Sequence, residues 1–174
     1  MTPGLEKDLE STRRRYLEAE ERFARRVVIC AGTGCMANGA LKVFKALHEE
    51  ARERDIRLEV ELDYEDQTDK AGLLTKSGCQ GFCQMGPLLS IEPDGILYCG
   101  VKPGDVPEII EGVQKGRLVE RLLYRVPATG QVCKGHGEIP FYAQQQRTGL
   151  TACGSLDPEN LRESVDRKST RLNS

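Results

Sequence analysis

The sequence contains no tryptophan, few other aromatic residues and only two histidines. With aromatics at 5% of the chain, a surface for stacking nucleic-acid bases is poorly supplied. Charge points the same way. The 25 Lys and Arg residues against 27 Asp and Glu leave a formal charge of −2, too little of either sign to draw in nucleic acid or anionic lipid. No run of about 18 apolar residues is present, which excludes a spanning helix. The charged N-terminus also lacks the continuous apolar stretch of a secretory leader. The expected location is the cytoplasm. No Cys-x-x-Cys occurs, so thiol–disulfide exchange of the thioredoxin kind lacks its motif.

Cysteine is what the chain has: seven residues, an odd number that suits ligation better than a disulfide framework in a reducing compartment. Four of them form two short-spaced pairs in glycine-bearing loops, Cys30-Ala-Gly-Thr-Gly-Cys35 and Cys79-Gln-Gly-Phe-Cys83. Two loops that each supply two thiolates meet the needs of a [2Fe-2S] rhomb, whose two irons have two terminal positions apiece. A [4Fe-4S] cube more often draws three ligands from one tight run. Glycine N–H groups at Gly32, Gly34, Gly78 and Gly81 are available to hydrogen-bond the sulfurs. Spacing alone leaves a second reading open, a four-thiolate zinc site in a non-redox protein-interaction module. Cys99 reads as strand packing, Cys133 as an exposed bystander in a linker and Cys153 as a buried contact. Met36 and Met85 read as apolar shielding beside the ligand loops.

Around these loops the pattern is that of an α/β domain. Pro3 to Arg26 reads as a charged helix, with Leu5, Leu9, Thr12, Tyr16 and Phe23 on one stripe and its arginine runs, including Arg25-Arg26, on the solvated face. Val27-Val28-Ile29 is a buried strand running into Cys30. Asn38 is the expected N-cap of the next helix, with Leu41, Phe44 and Leu47 buried and His48 on the surface. Arg57 to Asp63 alternates as a strand with Leu58, Val60 and Leu62 on one face, and a loop over Tyr64 to Lys70 follows. Leu73 to Lys76 leads to Cys79. Leu88 to Ile91 and Ile96 to Val101 form a hairpin around Pro93-Asp94-Gly95. Asp105 and Glu108 suggest a capping box for a helix over Val106 to Lys115, with Val106, Ile109, Ile110 and Val113 inward. Beyond Leu123 the text turns linker-like, and Lys134, His136 and Glu138 read as solvated. The element order fits a thioredoxin-type α/β sandwich with both cysteine loops at one end of the sheet.

With Cys-x4-Cys, Gly78-Cys-x-Gly-x-Cys-x-x-Gly-Pro87 and Gly116-Arg-Leu-Val-Glu-Arg-Leu-Leu-Tyr124 in view, the chain resembles the thioredoxin-like [2Fe-2S] ferredoxin family. It resembles more closely the N-terminal part of complex I-type flavoprotein (NADH-binding) subunits, as in NAD(P)-reducing hydrogenases and NAD-dependent formate dehydrogenases. The likeness continues in Ile139-Pro-Phe-Tyr-Ala-Gln-Gln-Gln-Arg147 and Cys153-Gly-Ser-Leu-Asp-Pro158, similar to the lead-in of an FMN- and NADH-binding domain. The resemblance implies Cys30, Cys35, Cys79 and Cys83 as cluster ligands, one sequence-close pair per iron, electron transfer as the function, and other subunits of a redox complex as partners. It also implies a cis-proline at Pro87. The expected organisation is an N-terminal helix over 1–25, the ferredoxin domain over 26–124, a linker over 125–138, the start of a truncated FMN/NADH-binding domain over 139–163, and a tail of non-native character over 164–174. FMN, NAD(P) and a [4Fe-4S] cluster belong to missing downstream domains, and catalysis is not expected of this chain alone.

Overall fold

The computed structural model describes residues 3–20, 25–54, 58–59 and 72–158. The expected strand residues Val60 and Leu62, the loop over 64–70, Phe23 and the tail over 164–174 lie outside the described residues. Helix α1 (Pro3–Glu20) is followed by strand β1 (Arg26–Cys30), a short helix α2 (Thr33–Ala37) and helix α3 (Ala40–Glu53). Strands β2 (Leu58–Glu59), β3 (Gly72–Ser77), β4 (Leu89–Glu92) and β5 (Ile96–Tyr98) precede helix α4 (Val106–Lys115). A two-stranded pair, β6 (Tyr124–Arg125) and β7 (Val132–Cys133), and a single helical turn, α5 (Pro140–Ala143), complete the described chain. No helix among the described residues is long and apolar enough to cross a membrane.

The main sheet has the order β2-β3-β1-β4-β5. β1 is its centre and is buried along its whole length, as its unbroken apolar run demands. It runs parallel to β3, with Cys30 opposite Ser77, and antiparallel to β4, with Val28 opposite Ser90. Because β1 and β3 are parallel, the loops that follow them leave the same end of the sheet. The last residue of β1 is pinned from both sides: the Cys30 N–H bonds the Leu88 carbonyl at 3.1 Å and the Ala31 N–H bonds the Ser77 carbonyl at 3.0 Å. The core forms where Val27, Ile29, Leu74, Leu89, Ile91 and Leu97 meet Val43 and Leu47 of α3 and Ile109 of α4. Each such side chain contributes about 1.5–3 kcal/mol by leaving water. Gly86–Pro87 is cis, as expected, and Glu92–Pro93 is cis as well.

Several local expectations are corrected. Asn38 closes α2 instead of opening α3, whose N-cap is Gly39 at φ 97°. The buried face of α3 is Ala40, Val43, Leu47 and Ala51, while Leu41 is 43% exposed. Seating the helix on Ala40 and Ala51 lets it lie close to the sheet and turns Leu41 outward. Asp105 does not cap α4 with its side chain. A 3-10 turn over Pro103–Asp105 precedes the helix, and the carboxylate accepts the Lys102 N–H at 2.7 Å. Arg25 and Arg26 are not on a solvated helix face. Arg26 is buried in β1, and Arg25 binds Asp94 at 2.7 Å and the Val113 carbonyl at 2.8 Å, tying the hairpin turn to α4.

The stretch expected as a linker packs on the core. Cys133 is fully buried, not an exposed bystander, and its thiol donates to the Glu138 carbonyl at 3.2 Å. The Leu97 N–H bonds the Lys134 carbonyl at 2.7 Å, continuing the hydrogen bonding of β5 outward. Glu138 accepts the Lys134 N–H at 2.8 Å, and His136 lies half-buried with its ring centroid 4.7 Å from that of Tyr142, in an edge-to-face arrangement. Burial of Cys133 and Ile139 supplies apolar stabilisation that a solvated linker would lack.

Candidate metal centre

The loop between Cys30 and Cys35 folds tightly because α2 begins two residues before Cys35 and turns that side chain inward. Cys30 and Cys35 are buried, whereas Cys79 and Cys83 are exposed at the surface of the same end of the sheet. The two loops are in contact. A Cβ added at Gly32 would stand 2.9 Å from the Cβ of Cys79, and one at Gly34 would stand 2.9 Å from the Cβ of Cys83. A Cβ at Gly86 would meet the Cys35 sulfur at 2.7 Å. Only hydrogen at these three positions lets the sulfur-bearing chains approach so closely.

The sulfurs gather as pairs. Cys79 Sγ and Cys83 Sγ are 4.0 Å apart. Two sulfurs on one tetrahedral metal, with bonds of about 2.3 Å, stand about 3.8 Å apart, so this pair already has the bite of a single iron. The Cys30 thiol is lowered first by Cys35, and to a lesser extent by Cys79 across the loops. Among the described residues no three His, Cys, Asp or Glu side chains cluster as ligands of one metal ion. Two pairs in contact are what a two-iron rhomb requires of its protein.

Electrostatics divide the Cys30–Cys35 pair into a thiolate and a proton-holding partner. The hydrogen bond from Cys35, with those from the Gln80 and Gly32 backbone, holds the Cys30 thiol down to about 6 against the opposing effect of burial. The same bond, seen from Cys35, pushes that thiol upward, as do its burial and the charge on Cys30. Cys83 is raised by its hydrogen bond with Cys79. Binding of a cation removes the shared protons, since only thiolates ligate.

Backbone N–H groups point at the sulfurs as the sequence suggested for Gly81. The Gly81 N–H lies 3.3 Å from Cys79 Sγ, with Gly81 at φ 88°, where an L side chain would be strained. The Gln80 N–H lies 3.5 Å from Cys30 Sγ, a donor the sequence did not single out. Gln80 is itself buried, and its Nε2 donates to Ser90 Oγ at 3.1 Å and to the Gly154 carbonyl at 3.4 Å. Met85 packs against the core beside the site, but Met36 is 40% exposed and shields less than expected. Cys99 is buried as expected, and burial pushes its thiol up to about 12. Cys153 is half-buried in a cavity of about 330 Å³ lined also by Gln80, His136, Tyr142 and Arg147.

The C-terminal part of the described chain covers this loop. Phe82 stacks on Phe141 and meets Tyr124 and Tyr142 edge-on. The Gly78 N–H bonds the Leu156 carbonyl at 3.0 Å, and Arg147 Nη2 bonds the Gln80 carbonyl at 2.7 Å. Neither Phe82 nor Arg147 carried a signal for this role in periodicity or spacing, because the contact joins segments some sixty residues apart.

Known proteins resemble the part of the chain that carries the two cysteine pairs. The model of a family described as thioredoxin-like [2Fe-2S] ferredoxin matches residues 17–114. A 2Fe-2S ferredoxin of Aquifex aeolicus (strain VF5) is 36% identical over 90 residues, covering 51% of this chain and 71% of that protein. A 2Fe-2S ferredoxin of Clostridium pasteurianum is 29% identical over 89 residues, covering 51% and 76% respectively. A crystal structure of the wild-type thioredoxin-like [2Fe-2S] ferredoxin from Aquifex aeolicus aligns over 56% of this chain and 93% of its own, with 31% identity and a TM-score of 0.45.

Proposed function

We propose, given that the chain belongs to the thioredoxin-like [2Fe-2S] ferredoxin family, that it transfers single electrons through a [2Fe-2S] cluster held by Cys30, Cys35, Cys79 and Cys83. Cys30 and Cys35 serve one iron, Cys79 and Cys83 the other. The observation that carries this reading is the meeting of two sulfur pairs, one with its sulfurs 4.0 Å apart, across glycines that leave no room for a Cβ. Bound there, the cluster supplies one-electron exchange with no open coordination position for a substrate. The chain's own part is to hold four thiolates, to aim the Gln80 and Gly81 N–H groups at the charge that reduction adds, and to bury one pair away from water.

The wider setting we propose is an NAD(P)H-linked oxidoreductase complex of the NADH dehydrogenase, hydrogenase or formate dehydrogenase type. What supports it is the motif run Ile139 to Arg147 and Cys153 to Pro158, whose residues dock on the ligand loop instead of trailing from it. Residues 139–163 are then the opening of a flavin- and nucleotide-binding domain, and FMN, NAD(P) and a [4Fe-4S] cluster belong to sequence downstream. The partners are other subunits of that complex.

Anaerobic purification tests the electron-transfer reading. Red-brown absorbance, about two irons and two acid-labile sulfides per chain, and an EPR signal on reduction are expected. A colourless protein carrying stoichiometric zinc would instead make it a zinc-stabilised interaction module and end the reading.

A further inference from the structure

The peptide group between Gln80 and Gly81 has both ends engaged. Its N–H, from Gly81, points at Cys79 Sγ at 3.3 Å, and its carbonyl, from Gln80, accepts Arg147 Nη2 at 2.7 Å. A cation on the carbonyl end of an amide draws electron density toward oxygen and makes the N–H a stronger donor, the polarisation by which hydrogen bonds in a chain reinforce one another. The charged donor also makes the first bond of that chain a strong one. Arg147 is held for this purpose from three further sides. Its Nε donates to Gln145 Oε1 at 3.0 Å, its guanidinium lies 5.3 Å from the centroid of the Tyr142 ring, and its own carbonyl accepts the Thr151 hydroxyl at 3.0 Å. The fit is close enough that a Cβ on Gly81 would stand 2.6 Å from Nη2. The side chain is half-buried, so solvent screens its charge less than that of an exposed arginine.

We propose that Arg147 is a positioning residue for electron transfer, one that raises the reduction potential of the site by polarising the Gln80–Gly81 peptide against the Cys79 sulfur. The assignment rests on the electron-transfer reading above and deepens it. Reduction of a cluster held there, by a one-electron donor such as dithionite, would add one negative charge and require no proton. A cation relayed to a ligand sulfur favours that more negative state. Residue 147 lies beyond the stretch of 17–114 matched by the family model, so the segment that follows the ferredoxin unit supplies part of its electrostatics.

The test compares midpoint potentials of the full chain and its variants, titrated with dithionite and followed by EPR, after iron and sulfide content has been measured for each. Arg147→Gln is expected to shift the reduction equilibrium about tenfold toward the oxidised form, a fall of about 59 mV for a one-electron couple. Arg147→Lys, which keeps the charge but not the fork, is expected to recover more than half of that shift. Arg125→Gln, removing an exposed guanidinium that binds the Gly130 carbonyl at 3.0 Å, is expected to leave the potential at the parent value. A loaded Arg147→Gln protein with the parent potential overturns the assignment, as does a lysine variant shifted as far as the glutamine one. Should Arg147→Gln lose its iron, Arg147→Met, which keeps the stem over Tyr142, carries the comparison. Loss of iron from both neutral variants, with the lysine variant at the parent potential, would leave Arg147 a scaffold residue and overturn the assignment too. A parent chain that holds no iron and sulfide sinks the electron-transfer reading itself, an outcome distinct from a loaded chain indifferent to residue 147.

Discussion

Phe82 and Phe141 lie ring on ring, centroids 4.9 Å apart and planes 15° from parallel. One lies between Cys79 and Cys83 in the loop, the other at the start of α5, so this stack fastens the C-terminal segment to the candidate site. Phe82 is buried and Phe141 is 41% exposed. Phe82→Ala should therefore cost about 3–5 kcal/mol and Phe141→Ala about 1 kcal/mol. A double-mutant cycle by urea denaturation is expected to give a coupling of about 0.5–1.5 kcal/mol. Zero coupling would mean that the rings do not meet in solution.

Substitution of the cysteines separates ligands from packing. Cys79→Ser and Cys83→Ala should abolish the cluster absorbance or make it decay rapidly on purification. Cys133→Ser should leave the spectrum unchanged. Because a serine hydroxyl can keep the bond that the fully buried Cys133 thiol donates to the Glu138 carbonyl, this variant should lose no more than about 1 kcal/mol of stability. Equal spectral loss from all three variants would contradict the ligand assignment.

The rotation of α3 gives a sharp contrast between two leucines. Leu47 is fully buried and Leu47→Ala should cost about 2–5 kcal/mol. Leu41→Ala, on the exposed side, should stay within about 0.5 kcal/mol of the parent. Chemical denaturation of both variants decides the matter, and reversed costs would restore the face read from sequence.

His136 makes stability depend on pH. Burial, followed by the charge of Arg147, lowers its pKa below the ordinary value of 6.5. Tyr142, Arg147 and Glu92 line the same cavity, and Tyr142 is itself raised by burial. Above about pH 6.5 the imidazole is neutral in both folded and unfolded chains, and its contribution is fully present. As pH falls below that value the unfolded chain takes up the proton first, so stability is lost until the folded pKa is passed. His136→Gln should flatten this loss between about pH 7.5 and pH 5.5 in urea denaturation. An identical slope in parent and variant would show that the ring is not buried.

How far the sequence carried the fold depends on where each element finds its stability. α4 was legible to the residue, since Val106, Ile109 and Ile110 mark one face and Gly116, at φ 64°, closes it. β1 was legible because its apolar run leads straight into Cys30, and Leu73-Leu74 marked β3 ahead of the second cysteine loop. α2 was not: five residues are too few for a helical period to register. The packing of 125–138 was also hidden. Its glycines and charges read as solvent-facing, while Cys133, and Ile139 just beyond the stretch, are buried in the core. The proposed ligand set comes from spacing and resemblance. The charge behind the Gln80–Gly81 peptide was not legible there, since nothing local to Arg147 announces a sulfur sixty-odd residues upstream.

The pairing of Cys30 with Ser77 across β1 and β3 acts as a gauge block for the whole end of the sheet. Strand residues advance about 3.3 Å each and alternate faces, so deleting a single residue from β3 would both retract the second loop by nearly the width of a sulfur atom and turn its first thiol to the wrong side. Tolerance for length changes is thus distributed unevenly: the hairpin turn at Asp94–Gly95, at the opposite end of β4, can lengthen without altering the distance between thiols, whereas the six residues of β3 cannot.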